Sequence, residues 1–273
     1  MGLRINTNVA GLRTTRILRQ NSLKLNKSLE RLSSGFRVNR AADDAAGLAI
    51  AEGFRSVALG AAVSQRNAQD GISLIQTAEG ALGEDSNILQ RIRALAVQAA
   101  NGTNSAQNRT DLQLEVTQLL GQIDDIANNT EFNGLIPLNS ATVITLQVGA
   151  RATTTLDINI AAATTAAGLG VSTIDITTQA GAQASLAVID AALLTVNNLR
   201  SQFGAVQNRL EFTITTLEIQ EESSRSSESV IRDADIARET LDFTRNQILV
   251  SAGTSVLAQA NTIPQSALQL LGG

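Results

Sequence analysis

Two pairs of adjacent acids, Asp43-Asp44 and Asp124-Asp125, invite a reading as general acid–base or metal-binding carboxylates. Adjacent residues on a helix point about 100° apart, so neither pair converges on one substrate atom. The rest of the chemistry is thin. The 273 residues contain no Cys and no His. That removes thiol nucleophiles, disulfides, thiolate metal sites, the commonest general base and the commonest transition-metal ligand. Carboxylates, Lys and Ser remain, which keeps a secreted carboxylate-dependent enzyme as an alternative. The sequence itself names no catalytic residue, no cofactor-binding residue, no cofactor and no metal ligand. Asp43 and Asp44 have a structural reading as well: behind an N-cap at Asn39 they sit in a helix's first turn, where carboxylates favour the dipole.

The elements that would position any site are narrow. There is no Trp or Tyr, and six Phe are the whole aromatic content. A core must therefore come from Leu, Ile, Val and Ala, which suits helix–helix seams where small residues let backbones approach. Net charge is −4, unevenly placed: residues 1–42 hold nine Lys or Arg and one acid, Glu30. A basic arm points to nucleic acid, an anionic membrane or a transit peptide. An internal partner explains it too, because residues 218–242 carry eight acids against Arg225, Arg232 and Arg238. Nucleic-acid binding lacks its stacking aromatics and any base-reading motif. No run approaches the roughly 18 consecutive apolar residues of a membrane span, so neither a nucleic-acid nor a membrane partner is expected. Met1-Gly2-Leu3-Arg4 is not followed by an apolar segment, and no cleavable secretory peptide is expected.

Periodicity places the helices. Leu18, Leu25 and Leu32 recur every seven residues, with Leu29 and Phe36 four after the last two. They predict a helix over 9–34 with Gly35 as its left-handed cap. A second helix is predicted from about Arg40 to Ala100, its later half a seam of Ile75, Ala78, Leu82, Leu89, Ile92, Ala96 and Ala99, interrupted by Asp85. A third, about 106–128, is capped by Ser105 or Thr103 and carries Leu112, Val116, Leu119, Ile123 and Ile126. Thr alternates with Val, Ile or Leu over 142–148 and 154–160, the pattern of a hairpin. Residues 161–184 read as an exposed connection with a short strand at 173–177. From about Ala182 to Asn261 a nearly continuous helix is predicted, with Ile189, Val196, Phe203, Leu210 and Leu217 stepping by seven. Near its end Leu241 and Ile248 keep that step, followed by Ala252 and Val256, and Pro264 breaks it. The terminal stripes, Leu18, Leu25, Leu29, Leu32, Phe36, Leu241, Ile248 and Val256, need a partner helix to bury them. The fold class is mainly α: an elongated rod of long paired N- and C-terminal coiled-coil helices, plus a helical bundle with a small β-hairpin at about 141–160.

Several stretches resemble bacterial flagellin. Ile5-Asn6-Thr7-Asn8-Val9 and the run from Arg31-Leu32-Ser33-Ser34-Gly35-Phe36 to Gly47-Leu48-Ala49-Ile50 are similar to its N-terminal signature. Gln90-Arg91-Ile92-Arg93-Ala94-Leu95-Ala96-Val97-Gln98 and Glu131-Phe132-Asn133-Gly134 extend the likeness. Ser229-Val230-Ile231-Arg232-Asp233-Ala234-Asp235 and the segment Gln247–Asn261 resemble the C-terminal signature. The resemblance implies a structural subunit that self-assembles into the helical flagellar filament used for motility, in a minimal form without outer variable domains. It implies an inner terminal-helix domain, 1–42 with 231–273, and an outer bundle, 43–180 with 181–230. It implies an extracellular location, and as partners further copies of the chain, the flagellar export apparatus, an export chaperone, and hook-associated junction and cap proteins. A hook–filament junction protein, which shares flagellin-like ends, is the alternative. A Toll-like innate receptor is a further implied partner, at Leu89, Gln90, Arg91, Leu95, Leu112 and Glu115. The sequence departs from receptor-active relatives at Ala94 and Leu119, where they often carry Glu and Arg, which implies weakened recognition. Asn101-Gly102-Thr103, Asn108-Arg109-Thr110 and Asn128-Asn129-Thr130 match the N-glycosylation pattern, one short enough to arise by chance.

Overall fold

The first helix, α1 (Val9–Ser34), starts where the Asn8 side chain accepts from the Gly11 N–H at 2.9 Å and ends at Gly35, whose φ of 75° is left-handed as its position predicted. The structure is a computed structural model describing residues 7–151, 153–160 and 163–271, with the side chains of 263–265 and 267–271 left aside. The Ile5-Asn6 start of the N-terminal signature and residues 161–162 lie outside the described residues. Then follow α2 (Ala45–Ala99), α3 (Ala106–Asn129), β1 (Thr142–Gln147), β2 (Thr155–Ile160), α4 (Gln179–Arg232) and α5 (Ile236–Leu271). Contacts divide the chain into one unit of Met1–Ser56 with Ser223–Gly273 and another of Val57–Glu222, so α2 and α4 each contribute to both.

The helices depart from the sequence reading in three places. The second helix starts at Ala45, because Asp44 rather than Asn39 caps it, accepting from the Gly47 N–H at 2.9 Å. Asp43 closes the preceding turn by accepting from the N–H groups of Asn39 and Arg40. The long C-terminal helix is broken at 233–235, where Asp235 accepts from the N–H groups of Ala237 (3.0 Å) and Arg238 (3.2 Å) and starts α5. An Asp that takes up orphan donors makes a new helix start cheaper than continuation. Conversely, α5 runs on through Pro264. Proline has no N–H to give the Ala260 carbonyl, and the Asn8 amide donates to that oxygen instead, at 2.9 Å.

The unit of Val57–Glu222 is a bundle. Ile75, Ala78, Leu82, Leu89, Ile92, Ala96 and Ala99 of α2 are all buried, as are Ile189, Val196, Phe203, Leu210 and Leu217 of α4, so both predicted seams hold. Val116 and Ile123 complete it from α3, which Ser105 caps. The two strands pair antiparallel, Thr142 opposite Ile160 and Gln147 opposite Thr155. Leu156, Ile158 and Ile160 point inward. Gly60 and Gly71 let this hairpin lie close on α2: a Cβ at Gly60 would stand 2.7 Å from the Ala150 Cβ, and one at Gly71 would overlap Leu146. The Asn67 amide fixes the approach by donating to the Gln147 carbonyl at 2.9 Å.

The connection after the hairpin is not the exposed loop its Ala, Thr and Gly content suggested. Thr164, Ala166, Leu169, Val171, Ile174 and Ile176 are buried, and no strand forms at 173–177. Side chains of α3 supply the backbone's partners instead. Gln113 donates to the Ile174 carbonyl (3.2 Å) and accepts from the Ile176 N–H (2.7 Å), while Asp124 accepts from the Ala166 N–H (2.8 Å). By length and mean hydropathy α2 and α4 are also long and apolar enough to cross a membrane, which a search for unbroken apolar runs does not register.

Asp85 sits in the α2 seam with no exposure, and among the described residues neither carboxylate oxygen has a hydrogen-bond partner. Burial pushes its carboxyl up to about 7 from 3.8. The folded chain therefore holds a proton that the unfolded chain releases near pH 3.8. The associated stability is complete below that pH and lost as pH rises through about 7. Asp85→Leu should raise stability at pH 8 by roughly 2–4 kcal/mol, with the gain shrinking toward pH 4. Urea midpoints at the two pH values check this, and an equal shift at both would mean that the carboxylate finds a partner.

Candidate assembly interface

α1 and α5 form an antiparallel pair: partners fall from Ala260 at Asn8, through Gly253 at Leu18, to Glu239 at Arg31. Small residues set the separation. A Cβ on Gly253 would stand 3.2 Å from Leu18 Cδ1, and one on Gly11 would stand 3.3 Å from Asn261 Oδ1. Leu18, Leu25 and Leu32 are half-buried, as the seven-residue step predicted, and Leu29 lies at the exposed edge. On α5 the inward stripe is Phe243, Asn246, Val250, Gly253, Leu257 and Ala260. The residues singled out from the sequence are not on it. Leu241, Ile248 and Val256 are 68%, 63% and 55% exposed, and Ala252 is exposed as well.

The reason is geometric. Phe243, Val250 and Leu257 repeat every seven residues, as Leu241 and Ile248 do, but two positions later. Two positions on a helix are about 200° of rotation. α5 therefore carries two apolar stripes on opposite faces, one covered by α1 and one bare. On α1, Leu12, Leu23 and Leu29 are likewise exposed.

Where α4 passes into α5, the backbone of 35–38 is bonded to that of 232–234. The N–H groups of Arg37 and Val38 donate to the Arg232 carbonyl at 2.6 and 3.3 Å, and the Ala234 N–H donates to the Gly35 carbonyl at 2.9 Å. Phe36 and Asp233 form an antiparallel bridge. The Arg232 guanidinium lies 4.3 Å above the half-buried Phe36 ring and meets Glu52 at 3.1 Å and Glu228 at 3.6 Å. Beside this joint is a charged groove of about 440 Å³ lined by Arg31, Arg37, Asp233, Asp235, Arg238 and Glu239, among others.

The carboxylate pairs are structural. Asp43 bonds Lys27 at 2.7 Å, and that partner, with the N–H groups of Arg40 and Asn39, holds its carboxyl down to about 2. Asp44 and Asp124 hold backbone, as described above. Among the described residues no group of three or more His, Cys, Asp or Glu is arranged to hold a metal. The basic arm meets the acidic stretch less than its charge suggested. Among the described residues only Arg31 forms an ion pair with it, to Glu239 at 3.4 Å, while Lys27 and Arg40 pair with Asp43 and Glu30. Of the receptor-type residues, Leu89 and Leu95 are core side chains of the bundle and Leu112 is half-buried. Gln90 is exposed, and Arg91 pairs with Glu115 across α2 and α3 at 2.6 Å.

Residues 5–142 match the model of the bacterial flagellin N-terminal helical region, and residues 186–271 match that of the C-terminal helical region. The chain belongs to the bacterial flagellin family. It is 44% identical to flagellin of Bacillus subtilis over 98% of its own length and 100% of that protein's. It is 41% identical to the flagellar filament 33 kDa core protein of Treponema phagedenis, over 98% and 99%. The crystal structure of Bacillus cereus flagellin is similar at 36% identity and a TM-score of 0.51, covering 56% of this chain and 88% of that one. The chain is accordingly a structural subunit that self-assembles into the helical flagellar filament used for motility, and the filament is extracellular. The likeness to filament proteins over nearly the whole chain does not favour the junction-protein alternative.

Arg232→Leu removes the cation–π contact and both ion pairs of the joint. It should lower stability by about 1–3 kcal/mol and speed hydrogen exchange at the Arg37 and Val38 amides. Unchanged exchange there would show that the backbone bonds hold the joint alone.

Proposed function

We propose that the bare stripe of α5, Leu241, Ile248 and Val256, together with the exposed Leu12, Leu23 and Leu29 of α1, is the surface that neighbouring subunits cover in the filament. One observation carries this: α5 is apolar on two opposite faces, and its partner in the subunit covers one. Contacts between unlike surfaces that do not close into a ring extend as an open helix, the geometry a filament needs. On this reading residues 1–42 with 231–273 are the inner assembly domain and 43–180 with 181–230 the outer bundle. The subunit acts by packing, without catalysis, a reading supported by Asp43, Asp44 and Asp124 each accepting from backbone N–H groups. Export apparatus, chaperone, junction and cap proteins would engage the same terminal helices. An innate receptor at the α2–α3 face would meet Gln90, Arg91, Glu115 and the edge of Leu112, because Leu89 and Leu95 are inside.

Ile248→Asp should abolish polymerisation of seeded subunits, seen by electron microscopy, while leaving the monomer's circular dichroism unchanged. Val250→Asp, on the covered stripe, should reduce helicity of the monomer itself. Deleting 1–20 or 254–273 should also stop filament growth while the bundle stays helical. Normal filaments from Ile248→Asp would overturn the assignment of this face.

A further inference from the structure

The chain has two Asn-Gly pairs, Asn101-Gly102 and Asn133-Gly134, and the structure treats them in opposite ways. Asn-Gly is the sequence most open to intramolecular deamidation, because glycine puts no side chain in the path of attack. The peptide nitrogen after the Asn attacks the side-chain Cγ and gives up its proton to solvent. The Cγ–Nδ2 bond breaks, ammonia leaves, and water opens the resulting succinimide to aspartate or isoaspartate. No oxidation is involved.

At Asn101 the partners of this step are prepared. The Thr103 N–H donates to Asn101 Oδ1 at 3.2 Å, an Asx-type turn that folds the side chain back over the following peptide. The same donor is placed to stabilise negative charge developing on that oxygen. Arg109, held by its Nε bond to the Ala99 carbonyl at 2.8 Å, donates from Nη2 to the Asn101 backbone carbonyl at 3.1 Å. A cation on the carbonyl of the 101–102 peptide acidifies the N–H that must attack. Among the described residues nothing accepts the Gly102 N–H, and residues 101–103 are exposed to water.

At Asn133 the nucleophile is blocked. The Gly134 N–H donates to Glu131 Oε1 at 3.0 Å, and a carboxylate acceptor makes that proton harder to lose. Asn133, at a φ of 50°, is also locked in a tight turn closed by both bonds between Phe132 and Leu135.

We propose that Asn101 is a self-modification site, at which the folded subunit converts an amide to a carboxylate beside Arg109, while Asn133 is protected. Incubating the folded full-length chain in mildly alkaline buffer and sequencing its peptides by mass spectrometry tests this. Asn101 should convert about tenfold faster than Asn133, and in denaturing urea the two rates should converge, since both are followed by glycine. Arg109→Gln should slow Asn101 about three- to tenfold, the weight of one exposed charge-assisted bond. Glu131→Ala should speed Asn133 without touching Asn101. Equal rates in the folded chain, or the same ratio in urea, would overturn the proposal.

Discussion

The structure depends on one imbalance: α5 has apolar residues on two opposite faces and one helix to cover them. α1 takes the stripe of Phe243, Val250 and Leu257, and its small residues let the two backbones come close enough that no further layer fits between. A helix apolar all round is stable only when buried all round. Here the second stripe is exposed in the subunit, which is the imbalance the proposed assembly contact would relieve. The same logic suits a chain with no Trp or Tyr and six Phe: thin seams between long helices leave little thick core for bulky rings to fill.

The second constraint is directional. An apolar pair of helices slides easily, since neither a seven-residue repeat nor a lane of small residues fixes register strongly. Polar contacts at the two ends do that. At one end the Asn8 amide caps α1 and also serves the carbonyl that Pro264 leaves open. At the other, the 35–38 and 232–234 backbones exchange hydrogen bonds, and Arg232 bridges Phe36, Glu52 and Glu228. Each lock uses groups whose ordinary helical partner is missing: a carbonyl above a proline, and backbone groups at a helix break. Slippage by one residue would leave those groups unsatisfied, and an unsatisfied buried polar group costs more than an apolar contact gains.

The elements legible in the sequence are those whose periodicity had a single solution. The α2 and α4 seams were readable because one face of each was apolar and the other polar. Gly35 was readable because it followed the last apolar position of α1. The faces of α5 were not readable, since Leu241–Ile248 and Phe243–Val250–Leu257 share one step, and periodicity cannot say which of two stripes a partner takes. The α4–α5 break carried a signal, Asp235 directly before Ile236 and Ala237, but it competed with unbroken periodicity. The connection at 163–178 was misread for another reason. Its Ala and Thr content looks like loop, and the groups that bury it, Gln113 and Asp124, lie on a helix some 40 to 60 positions earlier.

Asp85 shows what such a bundle can absorb. An ionised carboxylate without partners in a seam would cost more than most single contacts supply. The bundle keeps the residue by keeping its proton, so the group is a buried polar acid and not a buried charge through much of the pH range below neutrality. The penalty is confined to one position in a seam of otherwise regular Ile, Leu and Ala, where neighbouring layers above and below remain intact. In a globular core with one centre, the same substitution would sit amid everything else. In a long, quasi-one-dimensional seam each layer touches mainly its neighbours, so a weak layer lowers stability locally without dismantling the rest.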